Sequence, residues 1–255
     1  MNRLADALAP LGLMLLLLGA WEAACRLTGV PAYFLPPPSQ VAVAAATGLP
    51  VLVPAAWNTL SVALVALALA AAGALLLAIL VGLSPLLERA VRPLASALQV
   101  TPVVAVAPLI LIWAGIDNPE RAVIALAVLV AFFPIFSGAV TGLRSADPDL
   151  ERLFDLYGAG RLQRVMRLRL PAAVPFLMEG LKVGAGLAII GAVVAEFAAG
   201  SGGVRGLAWQ ILDAGNKLQT DRMIAALLVL AVMGVAVHAG LERLERAGLR
   251  WWRGR

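Results

Sequence analysis

The sequence has very few of the residues from which catalytic and metal sites are usually built. It contains one cysteine, Cys25, and one histidine, His238, among 255 residues. A lone cysteine can form neither an intramolecular disulfide nor a cysteine metal site, and a lone histidine provides no histidine cluster for zinc. The chain also lacks the Gly-x-x-x-x-Gly-Lys-Ser/Thr phosphate-binding motif. We therefore expect no catalytic residues, no metal site and no cofactor bound by this chain.

Charge is scarce as well. Only 14% of the residues are charged and 62% are hydrophobic, with a mean hydropathy of +0.92. A soluble domain is about 45–50% apolar, so this chain has too little polar surface to cover a globule in water. We expect an integral membrane protein embedded in a lipid bilayer. The net charge of +5 then reports membrane topology, because Lys and Arg collect on the cytoplasmic side, and nucleic acid is not an expected partner.

The charged residues divide the sequence into six apolar runs. Because a spanning helix needs about 20 apolar residues, we predict an all-α, polytopic bundle of about six transmembrane helices, at residues 8–26, 57–83, 94–116, 122–143, 176–197 and 223–240. The second span is expected to open at Trp57, with Asn58 and Thr59 beside it as a helix cap. The chain is accordingly divided into an N-terminal helix (1–29), a Pro-rich extracytoplasmic segment (30–56), a transmembrane core (57–243) and a basic cytoplasmic tail (244–255).

The first run could instead be a cleaved signal peptide, since a weakly basic start precedes an apolar stretch. Asp6 balances that start, and Trp21-Glu22 interrupts the small-residue cleavage pattern. These residues favour an uncleaved first helix.

The basic residues set the expected orientation. With both termini in the cytoplasm, fifteen of the 20 basic residues lie inside and only Arg26, Arg121, Arg205, Lys217 and Arg222 lie outside. The reverse orientation would invert this bias, which the positive-inside rule disfavours.

Four arginines lie close together in the segment 144–175, which follows the fourth span: Arg161, Arg164, Arg167 and Arg169. Because an arginine at mid-membrane costs about 2.5–3.5 kcal/mol, this stretch is predicted to form a cytoplasmic loop. A first helix passes through Leu150, Leu153, Phe154 and Tyr157, and Gly158 and Gly160 end or bend it. A second short helix ends at Pro171, with Leu162, Val165 and Met166 on one face and arginines at its rim: Arg161, Arg164 and Arg167. Such a pair could rest on anionic headgroups or dock into a soluble partner.

The loop resembles a known signature. Gly158, nine residues, Leu168, one residue and Leu170-Pro171 is similar to the cytoplasmic loop of ABC-transporter permeases of the binding-protein-dependent importer class. That family's pattern is EAA, three residues, Gly, nine residues, Ile, one residue, Leu-Pro. The EAA positions here hold Arg152, Leu153 and Phe154, with acids beside them at 151 and 155.

Other segments, in order over residues 30 to 243, resemble the same permeases. They are "LPPPSQV", "WNTL", "TPVVAVAPLILIWAGI", "AFFPIFSGAVTGL" and "GAVVAEFAAGSGGVRGLAWQI". The similarity is greatest to the subfamily that imports nitrate, taurine and other sulfonates.

The resemblance implies a mechanism and a set of partners. Two permease subunits, here expected to be a homodimer, would form the pathway in a bacterial inner membrane. Two ATPase subunits would bind ATP on the cytoplasmic side, and a separate solute-binding protein would deliver solute outside. The loop would insert into an ATPase cleft and transmit its closure, with the coupling residues Gly158, Arg161, Leu162, Arg164, Leu168, Leu170 and Pro171.

A few polar residues lie in or beside the spans. Gln99, Thr101 and Pro102 could line a solute path where prolines interrupt the third span, or the prolines could mark a packing kink. Glu196 could act in gating, although a position at the membrane interface is favoured. The segment 198–209 is expected to be a flexible outer loop.

Small residues mark the fifth span. Gly180, Gly184, Gly186 and Gly191 predict a surface on which helices approach closely.

One alternative function is a secondary transporter driven by an ion gradient. It predicts intramembrane acids and an inverted repeat, and the spans contain almost no acids.

Overall fold

A computed structural model describes residues 3–84, 86–91, 93, 102–114, 118–200 and 205–253. All regular secondary structure in these ranges is helical. The helices are α1 Arg3–Thr28, α2 Pro38–Leu83, α3 Val103–Ala114, α4 Pro119–Leu143, α5 Pro148–Leu156, α6 Arg161–Arg164, α7 Leu170–Ala199, α8 Leu207–Asn216 and α9 Thr220–Arg253, and a π-helical turn, Val165–Arg169, joins α6 to α7. Residues 86–91 are helical too.

The predicted all-α membrane bundle is confirmed. Four described segments are long and apolar enough to cross a membrane: Pro38–Leu83, Pro119–Leu143, Arg161–Ala199 and Thr220–Gly248. They contain the predicted second, fourth, fifth and sixth spans. The first predicted span lies within α1, and the third lies partly outside the described residues, with α3 in its described part.

Helix α2 begins much earlier than predicted. It starts at Pro38 and has 46 residues, so the Pro-rich segment 30–56 is largely helical and Trp57 opens no helix. A proline in the first turn loses no intrahelical hydrogen bond, which is why Pro38 can start a helix rather than exclude one. At 1.5 Å per residue α2 is about 69 Å long, about twice the thickness of a bilayer's hydrocarbon core. Helix α2, which contains Pro50 and Pro54, is therefore longer than a single perpendicular crossing needs.

Helices α4 and α7 pack backbone to backbone. An added Cβ at Gly180 would lie 2.8 Å from the carbonyl oxygen of Pro134, and one at Gly191 would lie 2.8 Å from the Cα of Ala127. Gly184 is equally close to Ile135. Only glycine permits this approach, as predicted for these three positions. Gly186 differs, because no atom lies within 4 Å of its added Cβ.

Hydrogen bonds join α1 to α2, and an ion pair joins α9 to α7. In α1, the carboxylate of Glu22 accepts hydrogen bonds from the Ser39 backbone N–H and hydroxyl at 3.0 and 2.8 Å, at the start of α2. The Nζ of Lys182 in α7 lies 3.0 Å from a carboxylate oxygen of Glu245 in α9. Residues 244–253, which were predicted to be a tail, are the last residues of α9.

Helix α7 separates two connecting regions. The segment 144–169, with α5 and α6, joins the end of α4 to the start of α7, and we call this the loop end. Helix α8 lies between the end of α7 and the start of α9. We call the α8 end the residues 205–219, which include α8, together with the parts of α2, α7 and α9 that contact them. The two regions therefore lie at opposite ends of α7.

Candidate functional site

The loop end begins with a capped helix. The side chain of Asp147 accepts a hydrogen bond from the Asp149 N–H at 2.8 Å, which satisfies a free donor at the start of α5. After α5 the chain reverses at Gly158, where φ is +64°. Backbone at this angle is costly for residues with a Cβ, so the predicted bend at Gly158 is confirmed. The next helix, α6, begins at Arg161.

Two of the four arginines hold the loop together rather than lining its rim. The Nε of Arg169 donates to Glu151 at 2.6 Å, and the Nε of Arg164 lies 3.5 Å from the other oxygen of the same carboxylate. Arg164 also pairs with Asp155. Because Glu151 and Asp155 lie on α5, these pairs join α5 to the segment that follows. Arg161 and Arg167 are exposed.

The second helix does not end at Pro171, contrary to the prediction. The π-helical turn Val165–Arg169 leads directly into α7, and the Leu170 N–H donates to the carbonyl of Val165. Proline has no N–H, and its ring clashes with the carbonyl four residues earlier in an α-helix. The wider π turn immediately before Pro171 lets the chain continue as one helix.

The apolar side chains of the loop divide into two sets. Val165 and Leu168 are buried against the bundle, whereas Leu162 and Met166 are about half exposed. The predicted face of Leu162, Val165 and Met166 is therefore wrong for Val165. Leu156 and Tyr157 are exposed by 85% and 83%. Leu150 and Leu153 of α5 are exposed as well, so the loop end presents six large, accessible apolar side chains on a segment held by ion pairs.

The α8 end contains a buried carboxylate. Glu196 is 1% exposed and Thr59 is fully buried, so the carboxylate lies inside the protein, and its predicted position at the membrane interface stays a prediction. One oxygen of Glu196 accepts from the Thr59 hydroxyl at 2.8 Å, and the other accepts from the Ala208 N–H at 3.1 Å. The Thr59 oxygen in turn accepts from the Leu207 N–H at 2.9 Å. Three helices, α2, α7 and α8, meet in this network.

The network caps α8. The first N–H groups of a helix lack partners within the helix and carry partial positive charge, and here Glu196 and Thr59 accept from two of them. Gly206 lies against the carboxylate so closely that an added Cβ would overlap both oxygens. The segment 198–209, expected to be a flexible loop, therefore enters a helix whose start is fixed by a buried acid.

The sequence-predicted path residues are not brought together by the described structure. Gln99 and Thr101 lie outside the described residues, and Pro102 is an exposed residue just before α3. Of the predicted path residues that the structure describes, Glu196 is the one whose side chain is held by hydrogen bonds. Its partner Thr59 was missed because the residue was interpreted as a helix cap at Trp57, and no local pattern connects positions 137 residues apart.

The sequence matches known proteins over most of its length, including the loop end. Residues 72–247 match the family model described as "Binding-protein-dependent transport system inner membrane component". The formylaminopyrimidine transport permease protein ThiX of Halalkalibacterium halodurans is 32% identical, over 98% of this chain and 98% of its own. The riboflavin transport system permease protein RibX of Chloroflexus aurantiacus is 37% identical, over 95% and 89%. The taurine transport system permease protein TauC of Escherichia coli is 31% identical, over 94% and 88%.

These matches cover nearly the whole chain and include the bundle, the loop and the α8 end. They favour the predicted importer subunit over an ion-gradient-driven transporter. The chain belongs to the binding-protein-dependent inner-membrane components and is the multi-pass permease subunit of an ATP-driven ABC importer.

Proposed function

We propose that this permease imports a small organic or anionic solute by alternating access, and that the loop end couples it to a separate ATPase. The solute class is supported by the names of similar proteins, among them permeases for taurine, aliphatic sulfonates and nitrate. In this proposal the ATP is bound and hydrolysed by two ATPase subunits, and the chain itself catalyses nothing.

The proposed assembly contains two copies of this chain and an extracytoplasmic solute-binding protein that delivers the solute. Both termini and the loop end face the cytoplasm of a bacterial cell, as the distribution of basic residues favours. The α8 end then faces outward.

The observation that carries the coupling proposal is the exposed apolar set of the loop end, which includes Leu156, Tyr157, Leu162 and Met166. A loop that faces water gains no stability from such side chains, whereas an interface core is built from large apolar residues. The ion pairs of Glu151 with Arg164 and Arg169 hold α5 against the segment that follows it. A displacement of α6 by the ATPase would therefore also move the π turn and α7.

The residues of the predicted coupling set have different roles in this proposal. Leu162 contacts the ATPase and Gly158 sets the bend. Arg164 braces the loop, and Leu168 anchors it to the bundle. Leu170 and Pro171 connect it to α7, and Arg161 lies exposed at its rim.

The buried acid Glu196 gives no support to ion coupling. Both of its oxygens accept hydrogen bonds from within the protein, so the carboxylate is committed to holding α8.

Co-purification of the ATPase with the permease tests the coupling proposal. Leu162→Asp places a charge in the proposed contact and should abolish co-purification, while the permease still inserts and elutes normally. Leu218→Asp is the matched control, because Leu218 is similarly exposed but lies at the α8 end. Equal retention of the ATPase by both variants would contradict the assignment of the contact to the loop end.

A further inference from the structure

A cavity of about 230 Å³ lies at the α8 end, between the first half of α2, helix α8 and the start of α9. Its apolar wall includes Val51, Leu52 and Ala225, and small residues of α2 keep it open. The polar residues that line it are Thr47, Gln210, Asp213, Gln219 and Arg222. It therefore combines an apolar surface with convergent polar groups, which is the usual composition of a small-molecule site.

Several of these polar side chains have no partner within the described part of the chain. No hydrogen bond or ion pair of that part uses the side chains of Gln210, Gln219 or Arg222. The other two are engaged: Asp213 pairs with Lys217 at 2.7 Å, and the Thr47 hydroxyl donates to the carbonyl of Val43 at 2.9 Å. The cavity thus presents one guanidinium and two amides whose N–H groups are available.

We propose that this cavity binds a small organic oxyanion, such as a sulfonate or a carboxylate attached to a short apolar body. The guanidinium of Arg222 matches an oxyanion with paired, charge-assisted hydrogen bonds, and the amides of Gln210 and Gln219 add donors. The apolar wall takes the rest of the ligand. Asp213 does not oppose the anion, because Lys217 offsets its charge.

The size and placement of the cavity fit a transported solute rather than a larger molecule. Drug-sized ligand sites occupy about 300–1,000 Å³, so this cavity suits a compact ligand. Glu196 fixes the start of α8, and α8 carries Gln210 and Asp213. The buried network therefore positions one wall of the cavity. The role of the site as a reception point for solute rests on the proposed import function and outward orientation, but binding itself does not.

Binding can be measured on the full-length permease in phosphatidylcholine nanodiscs, together with any ATPase that co-purifies and without a solute-binding protein. The probes are methanesulfonate and dimethyl sulfone, which are similar in size but differ in charge. Titration calorimetry should show saturable binding of methanesulfonate only. Arg222→Gln should weaken it at least about tenfold, the effect of losing one charge-assisted contact. Arg222 is exposed, so the variant should elute and assemble normally.

Arg121→Gln is the matched control, because it removes an exposed arginine that does not line the cavity, and it should bind methanesulfonate as the parent does. Equal binding of the two probes, absence of saturation, or equal loss in Arg222→Gln and Arg121→Gln would overturn the proposal. Loss of binding in phosphatidylglycerol nanodiscs at constant ionic strength would assign the site to a lipid headgroup and overturn the solute version.

These outcomes are separate from the import proposal. A complex that keeps its ATPase but does not bind methanesulfonate overturns the site alone. A permease that binds methanesulfonate but never retains an ATPase overturns the coupling proposal alone.

Discussion

The charged side chains at the two ends of α7 differ in how far they are buried. At the loop end, acids and arginines pair near the surface and large apolar side chains stay exposed beside them. At the α8 end, one carboxylate is fully buried and its described neighbours satisfy both oxygens. In the proposed function the loop end keeps apolar surface available for the ATPase, whereas the α8 end buries its polar groups and satisfies them. The contrast is between a proposed contact surface at the loop end and a fixed joint, the hydrogen-bonded network of Glu196, at the α8 end.

The largest effect is expected when the fixed joint loses its acid. Glu196→Ala leaves the Thr59 hydroxyl and the Ala208 N–H buried without their acceptor, and each such loss costs about 1–3 kcal/mol. Thermal unfolding of the detergent-solubilised permease should show a loss of about 3 kcal/mol of stability. Glu196→Gln keeps one acceptor oxygen and should lose less. If both variants unfold like the parent, the network does not hold α8.

A second test adds bulk at the same joint. Gly206→Ala should be destabilising because its Cβ overlaps the Glu196 carboxylate, at a cost of about 1–3 kcal/mol for an overpacked site. In Glu196→Ala that carboxylate is absent, so the double variant should be more stable than the sum of the two losses predicts. Strict additivity in a double-mutant unfolding cycle would show that the two residues do not meet.

At the loop end, Gly158 can be replaced without steric overlap, since no atom lies within 4 Å of an added Cβ. A substitution there therefore tests the backbone angle of the bend alone. Gly158→Val should distort the loop, because a β-branched residue at φ +64° is strained by about 1–2 kcal/mol. Gly158→Asn should be milder, since asparagine tolerates this region. The ATP hydrolysis rate of the co-purified complex should fall further with valine than with asparagine. The reverse order would show that backbone angle is not what matters there.

The smallest effect is expected from the surface charges. Glu151→Gln weakens the pairs with Arg164 and Arg169 and should cost about 1 kcal/mol, since these side chains are only partly buried. Asp149→Asn removes a pair whose side chains are 78% and 83% exposed, so its cost should be close to zero. Limited proteolysis of the loop should distinguish them, with faster cleavage only in Glu151→Gln. Equal cleavage would mean that the loop is not braced by Glu151.

Local signals were enough to predict the bundle and the loop. Apolar runs located the spans, and glycine at the required spacing located the bend and the close contact of α4 with α7. Features that depend on distant residues were missed. Glu196 is buried because α2 and α8 cover it, and nothing near position 196 reveals Thr59.

Proline misled twice for a related reason. The prediction that the second span opens at Trp57, after the Pro-rich segment, ignored the first turn of a helix, where Pro38 costs no hydrogen bond. The predicted stop at Pro171 ignored the π turn that accommodates it. In both cases the position of the proline within the helix, rather than the residue type alone, decided whether a helix could begin or continue there.

The central claim is that the loop end and the α8 end lie on opposite sides of the membrane, with the loop end inside. Gln163→Cys and Leu218→Cys place one thiol at each end, and the natural Cys25 is buried, so a membrane-impermeant maleimide will label little else. In intact cells we expect labelling of Leu218→Cys, and labelling of Gln163→Cys only after the membrane is opened. Labelling of Gln163→Cys from outside intact cells would contradict the account.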